Sequence, residues 1–359
     1  MTLTTGNRVS AAYAADGKGP MVYGKYKDHG FAVNPLMHRV GVATPENASA
    51  SEAFAIAGLN WTAEKRPVYF LGQDGPLEAP QSVAIVRSDN DGLLGLHSST
   101  YTPVQHSELI NLLDYLREDI QIENVLSIRQ GKKIYVTASI HTEGDVLPGD
   151  KVRRYLHAFN SFDGSSAFGV FFSDIRLRCA NQLNYLTRRG FTKAVDAGQG
   201  LRMRHTASVT EFARNLPRFI DLERREFNTS MDQLRALTRV DLTEARIRQV
   251  LEATFSDKLA RPIRDKGSTA SRPRLLSDLT EIDTIRGHLE GNTGYGITDV
   301  PGAAGTAYGL FNAITQFTTH DTGRAKDETE RARARLESLF GGESAKRIQR
   351  AREACLALV

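Results

Sequence analysis

The residues able to do chemistry are thinly spread along this chain. None of its 9 histidines falls in a His-Glu-x-x-His or His-x-His arrangement, the spacings that bring two imidazoles to one metal. His141, Glu143 and Asp145 are close enough in sequence to line a divalent-ion site, but a solvated loop accounts for them more simply. Asp150, Asp163 and Asp174 would have to converge around a metal to support nuclease chemistry. The pair Asp163-Gly164 also reads as a hairpin turn. Cys179 follows Arg176 and Arg178, whose charge could favour its thiolate; a small buried residue opening a helix is the plainer reading. Asp265-Lys-Gly-Ser-Thr269 lacks the leading glycine and the lysine register of a phosphate-binding loop. Gly291, Gly294, Gly296, Gly302, Gly305 and Gly309 do not sit between a strand and a helix, as a dinucleotide-binding turn requires; they read as a loop before a packed helix. These observations assign no catalytic residue, no metal ligand and no cofactor, and they point away from an enzyme.

What remains is binding. Lys132, Lys133, Lys151, Arg153, Arg154, Arg176, Arg178, Arg188 and Arg189 crowd the middle of the chain, interleaved with Tyr155, Phe159, Phe162 and Tyr185. Phosphates call for cations at intervals, and unpaired bases stack on aromatic rings. Side chains alternate along a strand, so Arg176 and Arg178 are expected on one face, with Arg188 and Arg189 at a helix end. The net charge of +4 is only mildly basic, so clustering rather than total charge carries this expectation.

The elements that must position these residues follow from periodicity. At 359 residues with 40% hydrophobic side chains, the chain can bury a core of about two structural units. No apolar run reaches the roughly 20 residues of a bilayer-spanning helix. The start of the chain lacks a secretory pattern, and only Cys179 and Cys355 occur, so a reducing cytoplasmic setting is expected. Residues 1–48 read as a loose arm, with short strands near Phe31 to Val33. Residues 49–206 read as an α+β core. It comprises a helix over Ser51 to Gly58, a strand over Pro67 to Phe70, a Gly/Pro loop from Gly72 to Pro80, and a leucine-spaced helix from Leu109 to Leu116. Antiparallel pairs follow from Val83 to Leu96, Val125 to Ile140 and Arg154 to Leu177, with a short helix over Cys179 to Leu186. Residues 207–359 read as mainly helical, with Asp241-Leu-Thr-Glu244 in capping-box spacing, a basic-acidic helix from Lys326 to Phe340, and another reaching the end. The expected class is α+β: an antiparallel β-hairpin-rich core with helices on one side, then a mainly helical C-terminal half.

Several strings coincide in order with a known family. Ser51-Glu-Ala-Phe-Ala-Ile-Ala-Gly-Leu-Asn-Trp61 with Arg66-Pro67, then Tyr101-Thr-Pro-Val-Gln105, then Asn160-Ser-Phe-Asp-Gly-Ser165 before Arg176-Leu-Arg-Cys-Ala-Asn-Gln-Leu183, are followed by Gly305-Thr-Ala-Tyr-Gly-Leu-Phe-Asn-Ala-Ile314 and Gly341-Gly-Glu-Ser-Ala-Lys346. Together they resemble the phage/plasmid-like proteins, or domain of unknown function 932, over residues 50–352. The chain departs from that pattern at Phe162, where the family carries histidine, and at Gln182, where it carries threonine. Because the family has no established reaction, the resemblance implies ancestry rather than activity. The inferred order of hairpins, strands and helix also resembles the core of phage single-strand annealing proteins of the lambda Red beta and eukaryotic recombination-mediator types. The resulting expectation is a homo-oligomeric protein that binds and anneals single-stranded DNA in phage or plasmid recombination. A regulatory or anti-defence interaction protein and a metal-dependent nuclease are the alternatives.

Overall fold

The computed structural model describes residues 40–166, 168–183, 200–203, 209–294, 300–323, 325, 327–339 and 342–359. The expected strands near Phe31 to Val33 lie outside that set. Within it the chain is an α+β protein with antiparallel sheets, its helices concentrated in the C-terminal half.

The main sheet has six strands in the order β1-β5-β6-β7-β8-β9. They are β1 (Val42–Ala43), β5 (Ile120–Ile128), β6 (Lys133–Asp145), β7 (Lys151–Ser161), β8 (Phe168–Arg176) and β9 (Gly200–Met203). From β5 onward each strand pairs with the next, so the sheet is a meander whose neighbours in sequence are neighbours in space. Every residue of β8 is buried. An unbroken run such as Phe168-Gly-Val-Phe-Phe marks a strand covered on both faces.

Both faces are indeed covered, and the period-2 alternation sorts side chains between two cores. Tyr135, Tyr155, Phe171 and Ile175 enter the core formed with the C-terminal helices. Val136, Leu156, Val170 and Phe172 enter the other, under the N-terminal helices and a smaller sheet. The two helices of the N-terminal core thus lie on one side of the sheet, and the helices of the C-terminal half build the core on the other. Each buried aliphatic or aromatic side chain contributes roughly 1.5–3 kcal/mol by leaving water.

The smaller sheet holds β2 (Ala63–Gly72), β3 (Gly75–Arg87) and β4 (Leu93–Ser98) in that order. The Gly/Pro loop expected from Gly72 to Pro80 is instead a tight turn followed by the first half of β3. Pro76 and Pro80 are tolerated because this stretch of β3 pairs on one side only, and Pro80 falls where the β2–β3 register shifts. Helix α1 (Ala50–Ile56) opens with a capping box between Ser49 and Glu52, and α2 (His106–Tyr115) buries Leu109, Leu112 and Leu113.

The helical half begins with α3 (Val209–Leu237), then α4 (Glu244–Thr254), α5 (Ser256–Leu259), the hairpin β10 (Ile263–Arg264) and β11 (Ser271–Arg272), and α6 (Glu281–Leu289). Helix α7 (Ala307–Gln316) runs on into a π-helical turn, Phe317–Asp321, and α8 (Glu328–Leu339) and α9 (Glu343–Leu356) complete it. Every residue of α7 is buried, the mark of a central helix packed on all sides. The cap of α4 is Thr243, whose hydroxyl accepts from the Arg246 amide, and not Asp241 as the spacing suggested. Asp241 is held in extended backbone by a bridge to Thr306 at the start of α7.

Candidate functional site

The strings Arg176–Leu183 and Gly305–Ile314 meet at the end of β8. Arg176 donates through Nε to Asp150 at 2.6 Å and lies 3.4 Å from Oδ1 of Asn312 on α7, with all three side chains buried. Asp150 also accepts from the Tyr308 hydroxyl at 2.7 Å. Asn181 donates to the Asn312 carbonyl at 3.2 Å, and the Gln182 amide donates to Thr319 at 3.3 Å. Gly309 makes this packing possible: a Cβ there would sit 2.4 Å from the Ala303 carbonyl oxygen. The junction is polar and buried, and among the described residues it leaves Asn181 Oδ1, both side-chain amide atoms of Gln182 and Gln316 Oε1 without partners.

This junction does not offer acid–base or nucleophilic chemistry. Burial pushes the Cys179 thiol above its ordinary value, and the neighbouring Arg176 only partly opposes it. The Tyr308 hydroxyl is raised for the same reason, while Asp150 is occupied by Arg176 and Tyr308. Cys179 is therefore a buried, protonated thiol and not an activated one. The helix expected to begin there is absent over the described residues 179–183.

The expected phosphate contacts separate when placed in three dimensions. Arg154 is buried between Asp174, at 2.8 Å, and Glu223 of α3. Asp174 in turn accepts from Ser230 at 2.7 Å, and Ser230 accepts from Arg352 at 2.9 Å. Arg154 and Arg176 thus do not reach a ligand in solvent. The sheet is covered on both faces, so a strand-centre cation needs a buried carboxylate to offset its desolvation. Lys151 and Arg153 share Glu143, at 2.6 and 2.9 Å. Lys132, Lys133 and Arg178 are half-buried. The tip carrying Lys132 is docked rather than projecting, for the Lys132 carbonyl accepts from the Phe162 amide at 2.8 Å and the Gln130 carbonyl from Arg87 at 3.2 Å. Arg188, Arg189 and Tyr185 lie outside the described residues.

The carboxylate readings fare no better. Asp150 and Asp174 are each held by a different buried arginine, and Asp163 caps its own turn through Ser165. No group of three or more His, Cys, Asp or Glu suited to a metal exists among the described residues. One relay had no signal in the sequence. His288 bridges Thr293, at 2.8 Å from Nδ1, and Asp321, at 2.7 Å from Nε2. Its partners lie 5 and 33 residues away, spacings with no local signature. In this structure it ties the loop after α6 to the π-helical turn.

A group of solvent-facing cations surrounds the β10–β11 hairpin. Arg261, Arg264 and Lys266 are exposed and Arg274 is half-exposed, and none forms an ion pair among the described residues. Arg272 is spent, on Asp265 at 2.9 Å and Asp278 at 2.7 Å. These positive charges were visible in the string Arg261-Pro-Ile-Arg-Asp-Lys266 and in Arg272-Pro-Arg274, which interrupt an otherwise helical half.

The family model described as a domain of unknown function, DUF932, matches residues 93–340. The chain belongs to that family. No curated protein and no solved structure matches it. The match spans β4 to α8, so the DUF932 region holds strands β5 to β9 of the main sheet, the Arg176–Asn312 junction and the basic hairpin together. No helix of the described residues is long and apolar enough to cross a membrane.

Proposed function

We propose that this DUF932 protein binds single-stranded nucleic acid through the phosphate backbone, with the β10–β11 hairpin as the contact surface. The observation that carries this reading is the set of solvent-facing cations Arg261, Arg264, Lys266 and Arg274, which form no ion pair with a described carboxylate. Exposed cations outside ion pairs keep their charge for a ligand, and each phosphate contact releases condensed counter-ions. Strand annealing, assembly into a homo-oligomer and a role in phage or plasmid recombination belong to the same proposal. Contacts limited to the backbone leave base edges available for a second strand. Fluorescence anisotropy with a labelled single-stranded oligonucleotide tests the binding step. Replacing the four cations by glutamine should abolish binding at low salt, while replacing Lys151 and Arg153 should not. Absence of binding by the unaltered protein at low salt removes the proposal.

A second reading has its own observation. The far end of the β2–β3 hairpin exposes Tyr69, Phe70, Leu71 and Leu77, with Leu71 at 86%. Apolar residues exposed together on a paired arm suit a protein–protein contact. This supports the interaction-protein alternative, and it would equally join copies of this chain.

A further inference from the structure

A cavity of about 630 Å3 opens between α6, the π-helical turn, α8 and α9. That volume suits a small organic ligand. Its wall carries Lys258, Arg335 and Arg347 against Glu281, Asp321 and Glu343. Most of these charges are already answered. Lys258 pairs with Glu281, Glu343 with Lys346 at 2.5 Å, Asp321 meets His288 at 2.7 Å, and Arg335 donates to the Thr322 carbonyl.

Arg347 is the exception. It is only 7% exposed, and its guanidinium lies over the rings of Phe255, at 5.0 Å, and Phe317, at 5.9 Å. Among the described residues its Nε has no hydrogen-bond partner and no carboxylate forms an ion pair with it. Burial holds its pKa below the usual arginine value, against the opposing pull of Asp257, Glu281 and Glu343 at longer range. Aromatic faces attract a cation but do not replace an anion in a site shielded from water.

The same wall includes the start of α9. Gly342 is its N-cap, and Glu343 and Ser344 of the first turn line the cavity with Arg347 one turn further on. The positive end of a helix of 14 residues therefore faces the same space as the unpaired guanidinium. Thr280, Thr284 and Ser344 also line it, and the Ser344 hydroxyl, which accepts from Ser338 at 2.8 Å, keeps its own proton to donate.

We propose that this cavity binds the oxyanion group, phosphate or carboxylate, of a small molecule, with Arg347 as its counter-charge. The site does not depend on the nucleic-acid reading, because none of the hairpin cations lines the cavity. The test is thermal unfolding of the full chain in inorganic phosphate, in acetate and in chloride at matched ionic strength. Phosphate or acetate should raise Tm by about 2 °C or more over chloride. The more effective anion identifies the ligand group. Arg347→Met should cancel the anion-dependent rise. Ser344→Ala should weaken that rise in a protein that keeps Arg347. The variant lacking the hairpin cations should retain it in full, which separates this proposal from nucleic-acid binding. Equal Tm in all three salts, or an undiminished rise in Arg347→Met, would overturn the proposal.

Discussion

The guanidinium of Arg176 lies 3.4 Å from the side-chain oxygen of Asn312, a residue 136 positions later on a different element. This contact, with the Asp150 pair beside it, fastens the last long strand of the sheet to the central helix of the other half. It converts two separate polar strings into one buried lock.

Breaking that lock should be costly in an asymmetric way. Asp150→Asn leaves Arg176 charged and uncompensated in a buried site, with an expected loss of about 3–5 kcal/mol. Replacing both partners by apolar residues of similar size should cost less than the sum of the single changes. Urea unfolding of the two single variants and the double variant measures the coupling. Additive losses would show that the pair is not a unit.

Two buried groups pull stability in opposite directions between pH 4.5 and 7. Burial pushes Glu223 up to about 7, against the opposing pull of Arg154. Its contribution is therefore present at low pH and lost as pH rises through 7. Burial, aided by Arg87, holds His106 down at about 4, so its contribution is present above 6.5 and lost as pH falls toward 4. Glu223→Gln should leave a protein that weakens toward acid, and His106→Phe one that weakens toward neutrality, each by on the order of 2 kcal/mol across the range. His106 suits this test because neither ring nitrogen has a hydrogen-bond partner among the described residues. Urea midpoints from acid to neutral pH should show the unaltered protein with the flattest profile of the three.

Gly131 should not tolerate a side chain. It adopts φ +94°, and a Cβ there would lie 2.6 Å from Trp61 Cζ2. Gly131→Ala should destabilise by about 1–3 kcal/mol. The chain has 1 tryptophan, so the emission of Trp61 reports this site without interference. Unchanged stability and unchanged emission would contradict the close approach.

On the β2–β3 arm the expected effect is on association, not on folding. Phe70→Lys and Leu71→Lys change exposed residues, so stability should stay within about 0.5 kcal/mol. Sedimentation velocity should show reduced self-association in these variants if the arm joins copies of the chain. Identical sedimentation of variant and parent, at concentrations where the parent associates, would rule the arm out as that contact.

For a sheet nucleic-acid groove, the decisive question was where each cation finds its partner. Arg154 and Arg176 stand in strings that read equally well as an exposed basic face or as a buried ionic network. The answer depends on Glu223, 69 residues from Arg154, and on Asp150, 26 residues from Arg176. The hairpin at Arg261 to Arg274 was the reverse case. Its charge density was plain in the string, yet its exposure depends on how α5 and α6 hold it.

Local order was legible because it is set by neighbours in sequence. The unbroken apolar run of β8, the leucine spacing of α2 and the hairpins of the meander all follow from side-chain periodicity and turn residues. So did the family, since its strings survive as strings. What only the tertiary structure decided is which charges face water. A strand covered on both faces sends odd and even positions alike into a core, so alternation no longer tells inside from outside. A buried cation is then defined by a carboxylate that arrives from elsewhere in the chain, and pairing across such distances leaves no mark on the spacing of either partner.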